Sequence, residues 1–414
     1  MVSQFSDNNT VDIKNKRLFS FSSNVVLFFM FLASLNFVNR FAYCVFIAFA
    51  AFLVLEWRYI KVSVEVIPLI IFSLSLLVFW PGGNSSITAM LRTFTFPMCF
   101  IIGYNLPSQS TGVLSRERSF RIMTIVLALG TWLHLMLNLI INFLNEEAER
   151  NTIDFWIGDV LSATGQAALA SIMIPVAVAC MFSKAKKWLK LLSVVALVTI
   201  LYYNLILAGR NIIILLIVAL LVALVYHFKK SNRIKQNIKA LLWVATIALV
   251  CVVAYRNNLF GIRDVITDSN FYERFFEDSA STLTEDSRGE RKLKYLEYLF
   301  EFPFGGANIK AIVGGYAHDL YLDTYDEAGV FAFFAIVTVV IDFAFKTFKV
   351  LKNKAISYET KQMLFLVFVV LNIEFWIEPI LAGMSWLLAC FCIIYGSVCS
   401  LVVASKRNEG SDKI

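Results

Sequence analysis

The chain has 414 residues, 59% of them hydrophobic and only 16% charged, far below the roughly 25% charged residues of an ordinary soluble domain. Repeated apolar runs of about 16 to 25 residues exclude a soluble globular protein, and the lack of short alternating segments excludes a transmembrane β-barrel. The formal net charge of +7 falls in short connections between those runs, so it reads as membrane topology and not as a nucleic-acid surface.

The first 17 residues are polar and lack the apolar core of a signal peptide, so they read as a cytoplasmic tail. Apolar segments follow near 18–38, 41–56, 63–80, 87–104, 120–143, 159–183, 189–208, 211–227, 240–255, 328–345, 362–380 and 382–404. This predicts an all-α polytopic membrane protein of about twelve transmembrane helices, forming a single integral membrane domain over 1–414. Lys and Arg concentrate in alternate connections. They include Lys14, Lys16 and Arg17, then Arg58 and Lys61, then Arg116, Arg118 and Arg121, then Lys184, Lys186, Lys187 and Lys190. The same side carries Lys229, Lys230, Arg233, Lys235 and Lys239, and later Lys346, Lys349, Lys352, Lys354 and Lys361. The pattern is positive-inside, and it predicts a bacterial cytoplasmic membrane protein with both termini in the cytoplasm. The seven cysteines all lie within apolar runs and read as core thiols, with neither a disulfide framework nor a metal site among them.

One long polar interval, 256–327, is then a large extracytoplasmic loop containing short helices. Its stretch 290–302 places Leu293, Leu296 and Phe300 on one helical face, with charges opposite. Such a helix lies on a leaflet or docks on the bundle. Pro303, Gly305 and Gly306 end it. Gly314-Gly315 offers a hinge just before His318 and Asp319.

Ionisable groups within the spans gather toward the same face, and each needs an account because a charge in the bilayer is costly. Arg92 lies about five residues inside the fourth span, His134 in the outer half of the fifth, and Arg210 at the turn between the seventh and eighth. Glu374 and Glu378 stand near the outer end of the eleventh span, and Asp323, Asp326 and Glu327 where the tenth begins. Arginine is permanently charged, and its planar fork grips phosphate oxygens, so several arginines near one membrane surface suit a lipid diphosphate. A histidine serves as general base near neutral pH. The inner connections are too short for a nucleotide-binding domain, so a membrane-borne donor is expected. Plainer readings stand beside these. Arg92 can bridge Glu374, His134 can be a polar group satisfied between helices, and Arg288 and Arg291 can belong to a solvated helix face.

Three stretches resemble the O-antigen ligase and O-antigen polymerase superfamily. Gly209-Arg210-Asn211 leads straight into an apolar span, where members place a Gly/Ser-Arg. Arg288 or Arg291, an amphipathic helix, and Pro303-Phe304-Gly305-Gly306 are similar to the family's "Arg … Pro-x-x-Gly" element. His318-Asp319-Leu320-Tyr321-Leu322, followed by Glu327-Ala328-Gly329-Val330, resembles the "His-Asn-x-Tyr-Leu … Glu-x-Gly" run. Asp319 and Ala332 depart from the residues preferred in ligases, which favours the polymerase reading.

The resemblance implies a GT-C-like membrane fold and a metal-independent inverting glycosyltransferase with no cofactor. The donor would be a glycan on undecaprenyl diphosphate. The acceptor would be a second lipid-linked glycan for a polymerase of O-antigen or capsule, or the lipid A-core for a ligase. A chain-length regulator is an implied partner. Arg210 and Arg288 or Arg291 would hold the diphosphate, and His318 would take or position the acceptor proton. Arg92, Tyr321, Glu374 and Asp319 complete the expected substrate-binding set. A flippase is the alternative of another class, and it predicts an internal repeat that the sequence lacks.

Overall fold

The computed structural model describes residues 21–79, 87–106, 112–144, 152–230, 252–273, 288–305 and 307–411. The long helices of the first half are α1 (Phe21–Ser34), α2 (Phe41–Glu56), α3 (Ile67–Phe79), α4 (Ile87–Asn105), α5 (Val113–Leu144), α6 (Ala163–Phe182), α7 (Lys187–Leu207) and α8 (Arg210–Lys230). Between α5 and α6 a two-residue antiparallel pair joins β1 (Thr152–Ile153) to β2 (Val160–Leu161), with Thr152 opposite Leu161. Shorter helices α9 (Ile262–Thr267), α10 (Arg288–Glu297) and α11 (Ala307–Val313) follow. The chain then returns to long helices in α12 (Leu320–Lys352), α13 (Tyr358–Ile377), the short α14 (Ile380–Gly383) and α15 (Ser385–Ser411).

Seven of these, α5, α6, α7, α8, α12, α13 and α15, are long and apolar enough to cross a bilayer. The chain is therefore an all-α polytopic membrane protein. Among the described residues, the expected twelve spans are not all matched by helices of spanning length. Helices α1, α2 and α3 have 14, 16 and 13 residues, which at about 1.5 Å per residue falls short of a hydrocarbon layer near 30 Å. Of the expected segment 240–255, residues 240–251 lie outside the described residues.

Helices α6 and α15 form the centre of the bundle, with 89% and 94% of their apolar windows buried, against 33% and 28% for α7 and α8. Composition explains the difference. Helix α6 reads ATGQAALASIMIPVAVACMF, and its small side chains let neighbours approach closely, as in other membrane helix contacts. It packs against α5, α7, α8 and α13. Helix α15 packs mainly on α4, and glycines make that crossing possible. A Cβ on Gly103 would stand 2.1 Å from the carbonyl oxygen of Ile393, and one on Gly396 2.2 Å from that of Phe100. In α7 and α8 large apolar residues such as Val198, Leu221 and Val225 are exposed, as expected of lipid-facing surface.

The segment between α10 and α12 has its own small core of Tyr295, Leu299, Ile309, Val313, Ala317, Leu322 and Tyr325. The apolar face expected of α10 is not the one that docks. Leu293, Leu296 and Phe300 are 63%, 49% and 74% exposed, while Tyr295 and Leu299 turn inward. Helix α10 thus has two apolar faces, one on protein and one open.

Candidate functional site at one end of the bundle

The turn between α7 and α8 brings the first cation. Helix α7 ends where Ala208 adopts a left-handed conformation (φ 51) and returns its amide to the Asn204 carbonyl at 3.0 Å. At Gly209 a Cβ would stand 2.9 Å from the Asn204 side-chain oxygen. Arg210 is the first residue of α8. Its neighbour Asn211 donates to Glu374 at 2.9 Å and to Glu378 at 3.4 Å. Both carboxylates are buried, at 0% and 3% exposure. Arg210 therefore enters its helix next to a residue bonded to two buried acids at the end of α13.

Helix α10 bridges that end to α12. The Lys292 Nζ lies 3.3 Å from an Asp319 carboxylate oxygen and donates to the Trp376 carbonyl at 2.5 Å. Asp319 caps α12 by accepting the Leu322 amide at 2.7 Å, a stabilising use of a side chain at a helix start. Burial pushes the Asp319 carboxyl above its ordinary value, and the Leu322 amide and Lys292 offset this only in part. The rings of Tyr321 and Trp376 meet at 5.2 Å.

The loop before α12 is pinned. Tyr295 donates its hydroxyl to the Gly315 carbonyl at 3.0 Å. The Arg291 guanidinium lies over Gly315, where a Cβ would sit 3.2 Å from its Nη1. Lys310 stands 3.2 Å above the Tyr316 ring, a cation–π contact. The Ala317 amide donates to the buried Asp323 carboxylate at 3.2 Å. Between these anchors His318 is held at φ 58, a conformation that few non-glycine residues adopt. Its ring lies 6.4 Å from that of Tyr316. The Gly314-Gly315 pair has positive φ at both positions, but the second glycine is fixed by Tyr295 and Arg291 and does not present a free hinge.

The two motif stretches also interlock. Gly329 breaks α12 with φ 79, and Val330 donates its amide to the Pro303 carbonyl at 2.9 Å. A Cβ on Gly329 would lie 2.6 Å from that carbonyl oxygen, and a Cβ on Gly305 2.4 Å from the Tyr325 carbonyl oxygen. The Pro303–Gly305 turn thus sits in the bend of α12.

The expected site residues Arg210, Arg291, His318, Asp319, Tyr321 and Glu374 come to one end of the bundle. They are linked through His318–Asp319, Lys292, the Trp376 backbone, the two glutamates and Asn211. The side chains of Arg92 and Arg288, and with them the expected Arg92–Glu374 bridge, lie outside the described residues; Glu374 accepts a hydrogen bond from Asn211. Lys292, Asn211 and Trp376 carry no role in the sequence reading. The visible signals were the basic cluster around Lys292 and the adjacency of Asn211 to Arg210. Only folding shows that one backbone carbonyl and two acids of α13 would meet them.

His134 belongs to a different arrangement. Its Nε2 lies 2.9 Å from Asp154, and both residues are buried. Asn138 and Asn142 hold the backbone of Phe155 and Ile153 at 2.8 Å each. The group fastens the β1–β2 connection onto α5, and His134 joins it through Nε2 alone. Burial alone would raise the Asp154 carboxyl. The hydrogen bond and charge of His134, with the Trp156 and Ile157 amides, outweigh it and hold the carboxyl below its usual range.

At the other end of α12, ligand-type atoms of Glu65, Asp342 and Cys399 lie within 4.8 Å of one another. Lys346 is hydrogen-bonded to Glu65, and Tyr395 donates to Asp342 at 2.7 Å. A cationic and a donor partner are therefore already in place, and the group is an ion-pair network between the turn before α3, α12 and α15.

A scan against models of known protein families finds no match to this chain, and a search of curated proteins finds no match either.

Proposed function

We propose that this chain is a membrane glycosyltransferase that polymerises undecaprenyl-diphosphate-linked oligosaccharide units into O-antigen or capsular polysaccharide. The reaction would take place on the outer face of the bacterial cytoplasmic membrane. The observation that carries this reading is the meeting, at one end of an apolar bundle, of Arg210, Arg291 and Lys292 with His318 and the Glu374–Glu378 pair. The positive-inside distribution of Lys and Arg supports the sidedness, with both termini in the cytoplasm and α10 and α11 outside.

The acceptor hydroxyl oxygen attacks the anomeric carbon of the donor glycan from the face opposite the diphosphate. The new C–O bond forms as the bond to the diphosphate oxygen breaks, so the configuration inverts. The hydroxyl proton passes to the His318 imidazole, and the lipid diphosphate leaves with the electron pair. Arg210 and Arg291 stabilise the charge that grows on the leaving group, an effect that is largest in a preorganised, poorly hydrated site. Glu374 and Glu378 hold sugar hydroxyls beside Arg210.

The test is transfer by purified full-length protein given a lipid-linked repeat unit, read as a ladder of products. Arg210→Ala and His318→Ala should each abolish the ladder while the protein stays folded. A variant retaining full activity removes the role assigned to that residue. Glycans of a deletion strain separate polymerase from ligase. A lost polymerase leaves core capped with one repeat, a lost ligase leaves bare core with accumulated lipid-linked polymer, and a normal ladder defeats both.

A further inference from the structure

Around its axis, helix α10 presents three sectors of different chemistry. Tyr295 is buried against the small core. Counted from it at about 100° per residue, Leu296 and Leu293 stand at about 100° and 160°. Phe300, in the turn that continues the helix through the Tyr298 amide and the Lys294 carbonyl, falls between them. Glu297, Glu290 and Lys294 follow at about 200° to 260°. All three apolar residues are exposed, and so are all three charged ones. A helix docked on protein in water needs only a buried stripe and a polar face. Here a separate apolar stripe stands between the protein and the charges.

The segment is tied to the ends of long helices at both of its own ends. Lys292 donates to the Trp376 carbonyl in the last turn of α13. Phe304 stacks on Phe79, the last residue of α3, with ring centroids 5.1 Å apart. Between these ties the Pro303 carbonyl holds the bend of α12. Residues 292–304 therefore run across the ends of three helices. The apolar stripe also opens onto surface that meets lipid. Leu296 shares the lining of one recess with Val337 and Ile341 of α12 and with Trp376. Ile341, Phe331 and Phe334 are exposed along the same helix. Trp376 is 59% exposed, and its indole is a ring type that collects at a membrane–water boundary.

Three side chains fall well short of the roughly 800 Å² per partner that a standard protein interface buries. A protein covering them would also have to cover the charges beside them. A leaflet boundary accepts apolar and charged sectors side by side. We infer that α10 lies in the boundary of the leaflet at this end of the bundle, with Leu293, Leu296 and Phe300 among acyl chains and Glu290, Lys294 and Glu297 in water. The partner is the lipid surface itself, and no transfer reaction is needed for the contact. Tyr295 of the same helix holds Gly315, so the leaflet sets the level at which the loop carrying His318 stands.

The experiment uses full-length protein in lipid nanodiscs, with Cys251 replaced by serine and a fluorophore on one new cysteine at a time. Lipid bearing a nitroxide near the head-group end of its acyl chain should quench labels on Leu293→Cys, Leu296→Cys and Phe300→Cys several-fold more than labels on Glu290→Cys and Glu297→Cys. Aqueous iodide should give the reverse order. Thermal unfolding identifies any variant that fails to fold, and the remaining positions on the same sector then carry the comparison. Iodide reaching the apolar and charged positions equally would overturn the contact. Shielding of the apolar positions from both quenchers would overturn it as well, because protein, such as a second copy of this chain, would then cover the stripe.

Discussion

Asp319 does two jobs that substitution can separate. It caps α12 through the Leu322 amide, and it accepts the Lys292 ammonium. Its carboxyl is raised by burial. An acid whose folded value lies above its unfolded one costs stability as the carboxylate, and that cost is relieved as pH falls through the folded value. Asn keeps the cap and removes the buried charge, so Asp319→Asn should leave the thermal midpoint unchanged or slightly higher at neutral pH. Asp319→Ala should lose about 1 kcal/mol, the usual effect of removing a cap. Thermal unfolding of the two variants in one detergent distinguishes these outcomes, and a drop in the Asn variant equal to that in Ala would show that the ion pair dominates. Asp154 has the opposite sign. His134 holds its carboxyl below the ordinary value, so its contribution is complete above the unfolded value near 3.9 and fades as pH falls through the folded one. Asp154→Asn should therefore be less stable than the parent at pH 7, and the gap should close on acidification below about pH 4. A gap independent of pH would mean that packing, not charge, fastens the β1–β2 connection.

At the level of elements, the bend in α12 and the turn after α10 form one unit. Gly305 and Gly329 have φ of 67 and 79, and an added Cβ at either would collide with backbone of the other stretch. Gly314 has φ 81 but nothing within 4 Å of its Cβ position. Gly314→Ala should thus lose only the conformational term, about 1 kcal/mol. Gly305→Ala and Gly329→Ala should lose more, together with transfer activity. Thermal midpoints of the three variants decide this, and equal losses would show that conformation alone explains the glycines. The sequence displays both stretches as separate patterns. It does not display their docking, because a Pro303 carbonyl accepting the Val330 amide leaves no trace in residue types. The same limit applies to α10. Periodicity finds the Leu293, Leu296 and Phe300 face correctly, yet cannot tell whether protein or bilayer solvates it. Tyr295 and Leu299, which do turn inward, complete a second face that the charge pattern hides. Spans such as α6 and α15 are legible because length and apolarity suffice, whereas α1 to α3 read as spans and, among the described residues, are helices of 14, 16 and 13 residues.

For the molecule as a whole, sidedness decides whether the reaction can occur as proposed, since the lipid-linked donor must meet Arg210, Arg291 and His318 outside the cytoplasm. From Val330, past the bend, to Lys349 the helix α12 rises about 29 Å, close to the thickness of a hydrocarbon layer. Residues at its two ends should therefore face opposite compartments. Glu297 is exposed near the α10 end, and Lys349 is exposed at the far end. Six native cysteines are buried, so their background reactivity should be low once Cys251, outside the described residues, is replaced by serine. In that background Glu297→Cys should react with a membrane-impermeant maleimide added to intact cells. Lys349→Cys should react only after the membrane is opened. Labelling of Lys349→Cys alone in intact cells would invert the topology. The cationic cluster would then face the cytoplasm, where the positive-inside rule would leave Lys349, Lys352 and Lys354 unexplained. Labelling of both in intact cells would mean that α12 does not span.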